Sequence, residues 1–182
     1  MIEPPLPPSM HGMAIDAGRL RPATLPLPSP AAGEVLIRMA YAGVNRADLL
    51  QCEGKYEAPE GASPLPGLEI SGYIAALGTG VSGFGLHQPV CALLAGGGYA
   101  DYATAPATQV LPLPAGVDLA AAATLPEAAA TSVMALLTEG ALQAGERVLI
   151  HGGASGLGIL MTQIARALGA EVFATVGSEE KA

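Results

Sequence analysis

The chain has 182 residues, 51% hydrophobic and 13% charged, which excludes a disordered polypeptide and is enough for one good core or two small ones. Eight basic against sixteen acidic residues give a formal charge of −8 with no basic run, which argues against nucleic acid or an anionic membrane surface as main partner. Cys52 and Cys91 are a lone pair without C-x-x-C spacing, residues 1–9 lack the cationic start and apolar core of a signal peptide, and the alanine-rich run 119–125 is too short to span a bilayer; the expectation is a soluble cytoplasmic protein.

In chain order, residues 1–30 are proline-rich, with a first strand expected over 11–16 and then a loop ending in Pro28-Ser29-Pro30. Residues 34–44 alternate apolar and small side chains and are rich in Val, Ile and Leu, which predicts a strand. Asn45 is placed to cap a short helix through residue 51, with Asp48 three residues on as an imperfect capping box. Further strands are predicted over 69–77, 90–94, 99–104 and 109–113, punctuated by glycines, in the spacing of a barrel-like β module. Asp118 then caps an alanine-rich helix interrupted at Pro126, and a second helix is expected over 127–139. A strand over 147–151, a helix over 155–168 and a strand over 172–176 follow, and Gly169 ends the helix. Leu157, Leu160, Met161, Ile164 and Leu168 recur at helical spacing, the pattern of a buried stripe.

The segment from Arg147 to Ser178 is the most informative. Gly153-Ala154-Ser155-Gly156-Leu157-Gly158 follows an apolar strand, opens an amphipathic helix and leads to a second strand, the context that makes such a glycine string a dinucleotide-binding motif. Glycines let a pyrophosphate reach the backbone N–H groups of the helix start. The end of the second strand discriminates between cofactors. An NAD site wants a carboxylate there; this chain has Gly177 and Ser178, with Lys181 three residues on, which favours the 2′-phosphate of NADP(H). A plainer reading has Ser178 capping the next turn and Lys181 as a solvated charge.

A β module followed by such a unit resembles the medium-chain dehydrogenases/reductases, whose catalytic domain is GroES-like. The resemblance is carried by Gly43-Val-Asn-Arg-Ala-Asp-Leu49, Gly54-Lys-Tyr56, Pro66-Gly-Leu-Glu-Ile-Ser-Gly72, Pro126-Glu-Ala-Ala-Ala-Thr-Ser132 and His151-Gly-Gly-Ala-Ser-Gly-Leu-Gly158, and runs from about residue 11 onward. Together these motifs look like the zinc-free NADPH:quinone oxidoreductase branch that includes zeta-crystallin. The implied fold class is α/β plus β: a GroES-like catalytic domain over residues 1–125, then the first βαβ unit of a Rossmann NADP-binding domain over 126–182. Zinc members place a cysteine where this chain has Asn45 and a histidine where it has Leu68, and neither replacement is a good zinc ligand. The four-cysteine structural lobe is missing too, so a metal-free enzyme is expected. Leu86-His87-Gln88-Pro89-Val90 stands where relatives carry a Gly-Asp-Arg-Val turn.

The resemblance implies hydride transfer from the nicotinamide of NADP(H) to a small-molecule quinone, or to an enone in an alkene reductase. It places Asn45 near the nicotinamide and Tyr56 at the substrate pocket, where the phenol either donates a proton or only positions the substrate. The plainer readings are a helix cap for Asn45 and a loop aromatic packed on the barrel for Tyr56. Thr131 matches a cofactor-contacting threonine or bonds its own helix backbone. With residues 153–158, Gly177, Ser178 and Lys181, these form the expected cofactor and catalytic set. Glu69 matches a core glutamate that is read as structural, and Cys52 as a bystander near the pocket. Family members run on for about another domain, so the chain is expected to be either a fragment of a homodimeric enzyme or a split paralogue. A non-catalytic NADPH-binding protein or subunit partner is the rival from another class.

Overall fold

The computed structural model describes residues 5–181. They divide into two compact units, one through Pro126 and one from Glu127 onward.

The first unit opens with a hairpin, β1 (Ser9–Asp16) and β2 (Arg19–Pro26), paired antiparallel from Ser9↔Pro26 to Asp16↔Arg19. Its two-residue connection is Ala17-Gly18, both at positive φ (46° and 76°), the backbone that a tight hairpin requires. The second strand is a correction to the expected loop. Pro22 and Pro26 argue against a strand in sequence, yet proline is tolerated where its missing N–H faces away from the ladder, as at an edge.

A five-stranded antiparallel sheet in the order β6-β3-β4-β5-β7 forms the body of this unit. Its strands are β3 (Glu34–Ala42), β4 (Glu69–Leu77), β5 (Pro89–Leu93), β6 (Tyr102–Pro106) and β7 (Val110–Pro112). Val35, Ile37, Ile70, Ile74, Val90, Ala92 and Ala105 are fully buried and form its core. The register of β3 on β4 shifts between Leu36 and Ile37 and again between Met39 and Tyr41, irregularities that curl the strand. The hairpin joins through Met13 N–H to Tyr99 O (2.7 Å) and Asp101 N–H to His11 O (2.9 Å). Those contacts explain why β6 starts at Tyr102 and not near residue 99. Two short helices complete the unit, α1 (Arg46–Cys52) and α2 (Leu119–Ala122), the latter capped by Asp118 Oδ1 on the Ala121 N–H at 2.8 Å.

The second unit begins at α3 (Pro126–Val133), which continues as a π-helical turn, Met134–Glu139. The expected helix is therefore present, with nearly its last half wound more widely. A parallel pair follows, β8 (Arg147–His151) and β9 (Glu171–Thr175), connected by α4 (Gly156–Ala167). Leu136, Ala165 and Ala170 are buried, with Leu142, Val148, Met161, Ile164 and Val172 packed on them. The expected stripe is thus corrected in part: Met161 and Ile164 pack inward beside Ala165, but Leu157 and Leu168 are exposed. Small residues lie deepest on α4, where Gly158 and Ala165 let the helix backbone approach its neighbours.

Candidate functional site

In the first unit, Asn45 sits at the N-cap of α1 in an extended conformation. Its N–H donates to Asp48 Oδ2 at 2.7 Å, one half of the expected capping box. The Asn45 side chain, the other half of that box, also reaches across to β4, where Nδ2 donates to Glu69 Oε1 at 2.9 Å. Glu69 is buried, and Gly43 lies so close that a Cβ there would collide with the glutamate side chain and with the carbonyl of Ala123 at 2.7 Å. This packing accounts for the glycine of the Gly43-Val-Asn45 motif. With Nδ2 given to the carboxylate, the other polar atom of the Asn45 amide is Oδ1, an acceptor only.

Asp48 is the hidden centre of this site. It is only 2% exposed, and besides the Asn45 N–H it accepts from the Tyr99 hydroxyl (2.8 Å, Oδ2) and the Gly67 N–H (3.0 Å, Oδ1). One carboxylate therefore ties the start of α1, the Pro66-Gly67 turn and the segment before β6. Burial, the Asp48 hydrogen bond and the Asp48 charge push the Tyr99 phenol well above its ordinary pKa, so it remains a donor. Gly67 has φ +101°, and a Cβ there would lie 2.6 Å from the Gly98 backbone, so glycine is required on two counts. Sequence reasoning assigned Asp48 to a local cap and missed Tyr99, 51 residues away. Leu68 is buried. Tyr56 is half-buried in the irregular segment after α1, and its hydroxyl makes no hydrogen bond among the described residues. Cys52 is half-buried and unoxidised; Cys91 lies in the core, where burial raises its thiol pKa.

In the second unit the glycine turn has a clear division of labour. Gly152 takes φ +73° as the chain leaves β8. A Cβ on Gly153 would approach Ala174 Cβ to 2.6 Å, and one on Gly158 would strike Gly152 O and lie 2.8 Å from Gly153 Cα. These two glycines are demanded by packing. Gly156 differs: a Cβ there would meet nothing within 4 Å, so no packing within the unit demands glycine at this position. Ser155 caps α4 by accepting the Gly158 N–H at 3.0 Å, and the N–H groups of Gly156 and Leu157 have no partner within the helix. Ala154 is exposed beside them. Thr175, at the end of β9, fastens the turn: its carbonyl accepts the Gly153 N–H (2.9 Å) and its Oγ1 the Gly152 N–H (3.3 Å). Nothing in the local sequence singled out Thr175.

Gly177, Ser178 and Lys181 follow β9 and are all exposed, with Lys181 in a single 3₁₀ turn alongside Glu179 and Glu180. Ser178 O accepts the Lys181 N–H at 3.1 Å, which closes that turn and brings the ammonium-bearing residue back towards the serine. Thr131 is half-buried on α3; it is the neighbouring, fully buried Ser132 that bonds back into the helix, to Ala128 O at 2.7 Å. The structure thus gathers Asn45 with Glu69 and Asp48 in one unit, and residues 152–158 with Thr175 in the other. Among the described residues no three His, Cys, Asp or Glu side chains gather as metal ligands, and no helix is long and apolar enough to cross a membrane.

Residues 31–115 match the alcohol dehydrogenase GroES-like domain. Quinone oxidoreductase of Rattus norvegicus is 36% identical over 155 residues, covering 85% of this chain. The chain belongs to the medium-chain dehydrogenase/reductase superfamily. It spans about half the length of the curated quinone oxidoreductases it matches, 47% of the rat protein. Among solved structures, the CurK enoyl reductase superposes with a TM-score of 0.85 at 32% identity, covering 96% of this chain and 56% of that one. A mycobacterial protein complexed with NADPH gives 0.80 at 31% identity, covering 94% and 54%. The GroES-like β module followed by a first βαβ unit is therefore the fold of this chain as well as of its relatives.

Proposed function

We propose that the protein is a zinc-independent, NADPH-dependent oxidoreductase that passes hydride to a quinone. The observation that carries this reading is the glycine turn at the start of α4: Gly153 and Gly158 are demanded by packing, whereas Gly156, where no packing requires glycine, stands at the helix N-terminus a pyrophosphate would approach. A bound NADPH would supply the hydride from its nicotinamide. The N–H groups of Gly156 and Leu157, aligned with the positive end of the α4 dipole, would hold its pyrophosphate. Ser178 and Lys181 would bind the 2′-phosphate through a hydroxyl and an ammonium, with Gly177 leaving room for the ribose; Thr131 would add a hydroxyl contact.

Asn45 would present Oδ1 to an N–H or O–H donor of the nicotinamide half, oriented by Glu69 behind it. An amide already held by a carboxylate and the apolar Leu68 are a poor pair of zinc ligands, which supports the metal-independent reading. Tyr56 would donate a hydrogen bond to the quinone oxygen as negative charge grows there. One hydride and one proton convert the quinone to its quinol, and the proton comes from solvent or through Tyr56. Similarity to the rat quinone oxidoreductase favours a quinone; similarity to the CurK enoyl reductase supports a second reading, in which the hydride goes to the β-carbon of an enone.

The experiment is NADPH oxidation with phenanthrenequinone and, in parallel, an α,β-unsaturated ketone. Turnover with the quinone, lost in Asn45→Ala, is the expected result. Turnover with the enone alone would move the second reading to first place. Cofactor binding without turnover on either would leave a non-catalytic NADPH-binding protein. Soluble, homodimeric action in the cytoplasm is part of the same proposal, by likeness to the family.

A further inference from the structure

Outside these residues, the outer face of the first unit carries an unassigned cavity of about 300 Å³ whose lining includes Arg38, Tyr73, His87 and Tyr102, with Leu6 and Pro7 as an apolar wall. Neither Asn45 nor Tyr56 lines it. The ladder builds it: Arg38 on β3 is the direct backbone partner of Tyr73 on β4 and of Tyr102 on β6, and all three residues line the cavity. Its carbon lies 5.8 Å from the centroid of the Tyr73 ring. A cation–π contact of this kind engages the positive charge with the ring face and uses none of the five guanidinium N–H donors.

Two further observations bear on what those N–H groups meet. The side chain of Arg38, like those of the other arginines, has no ion pair or hydrogen bond among the described residues, and of these arginines it is the one that lines the cavity. His87, which lines the same cavity, is held at φ +63°, a left-handed conformation strained for a non-glycine residue. A turn that glycine would form without strain instead carries an imidazole to the wall of the cavity. We propose that this cavity is a second small-molecule site, for a small organic carboxylate with an apolar body. The guanidinium fork matches two carboxylate oxygens, and the wall formed by Leu6 and Pro7 suits a ring or short chain. The site is independent of the cofactor and quinone reading.

The test is an NMR titration of the histidine ring signals with benzoate. Only three histidines exist, so His87 is read against His11 and His151 as internal controls. Saturable movement of the His87 signals is expected while the other two stay still. Arg38→Gln should weaken benzoate about tenfold or more, the worth of one charge-assisted hydrogen bond, with Arg38→Lys in between. Unmoved His11 and His151 signals in the variants report that the fold is kept. The proposal is overturned if His87 does not move or if Arg38→Gln binds as well as wild type. It is also overturned if neutral benzamide binds equally, which means a merely apolar cleft, or if inorganic phosphate does, which means an unselective anion site.

Discussion

The two units bury their apolar residues to very different degrees. In the β module Val35, Ile37, Ile70 and Ile74 have no exposed surface, and the sheet closes over a continuous core. In the nucleotide-type unit Leu149 of β8 and Phe173 of β9 are 56% and 49% exposed, and Leu157, Ile159 and Leu168 of α4 join them. Parallel strands are normally covered on both faces. The β module therefore supplies its own stability, while the βαβ unit depends on a few inward contacts and on Thr175 at its glycine turn.

The largest effect should separate the two. Ile74→Ala removes a fully buried side chain and should cost about 2–5 kcal/mol in denaturant unfolding. Phe173→Ala, half-exposed, should cost about 1 kcal/mol or less. A Phe173 cost matching that of Ile74 would mean that this face of the second unit is covered in solution, and the contrast would fail.

Next comes Asp48→Asn. The amide cannot accept from the Asn45 N–H, the Gly67 N–H and the Tyr99 hydroxyl as the carboxylate does, so one buried donor loses its partner. A loss of about 1–3 kcal/mol in the free energy of urea unfolding is expected. If the variant is as stable as wild type, Asp48 is a local cap and not the centre of the module.

Tyr99→Phe should cost less, about 1.5 kcal/mol, because Asp48 keeps its two backbone donors. Its pH dependence has a definite sign. The folded phenol titrates above the unfolded one, so its contribution is complete below the ordinary value of about 10 and fades as pH rises beyond it. The stability gap between wild type and Tyr99→Phe should therefore shrink in alkali; a gap constant with pH would remove Tyr99 from the buried network.

Legibility in the sequence followed the range of the interaction. Strand β8 was readable to the residue from its apolar run, and α4 from its Ser155 cap and glycines, because those signals are local. Strand β2 was not, since Pro22 and Pro26 speak against a strand and only pairing with β1 overrides them. The π-helical turn after Val133 leaves no trace in a pattern that suits an ordinary helix. The Asn45–Glu69 and Asp48–Tyr99 bonds span 24 and 51 residues, and no spacing rule reaches so far. Leu157 and Leu168 misled for the opposite reason: helical spacing says which residues share a face, not whether anything covers it.

The smallest effect concerns cofactor choice. Lys181→Gln should weaken NADPH about two- to fivefold, and less at high salt, because the ammonium is exposed and screened. NADH affinity should not change; an equal loss for both cofactors would take Lys181 away from the 2′-phosphate.

The central claim is that the helix start at Gly156 belongs to a pyrophosphate, and calorimetric titration of NADPH into wild type and Gly156→Asp tests it most directly. An added side chain there meets nothing within 4 Å, and a carboxylate in the first turn suits the helix dipole, so thermal stability should be kept. NADPH binding should be lost through occupation of the site and charge repulsion. Equal NADPH affinity in the two stably folded proteins would contradict the account, because the helix start would then have no part in holding the cofactor.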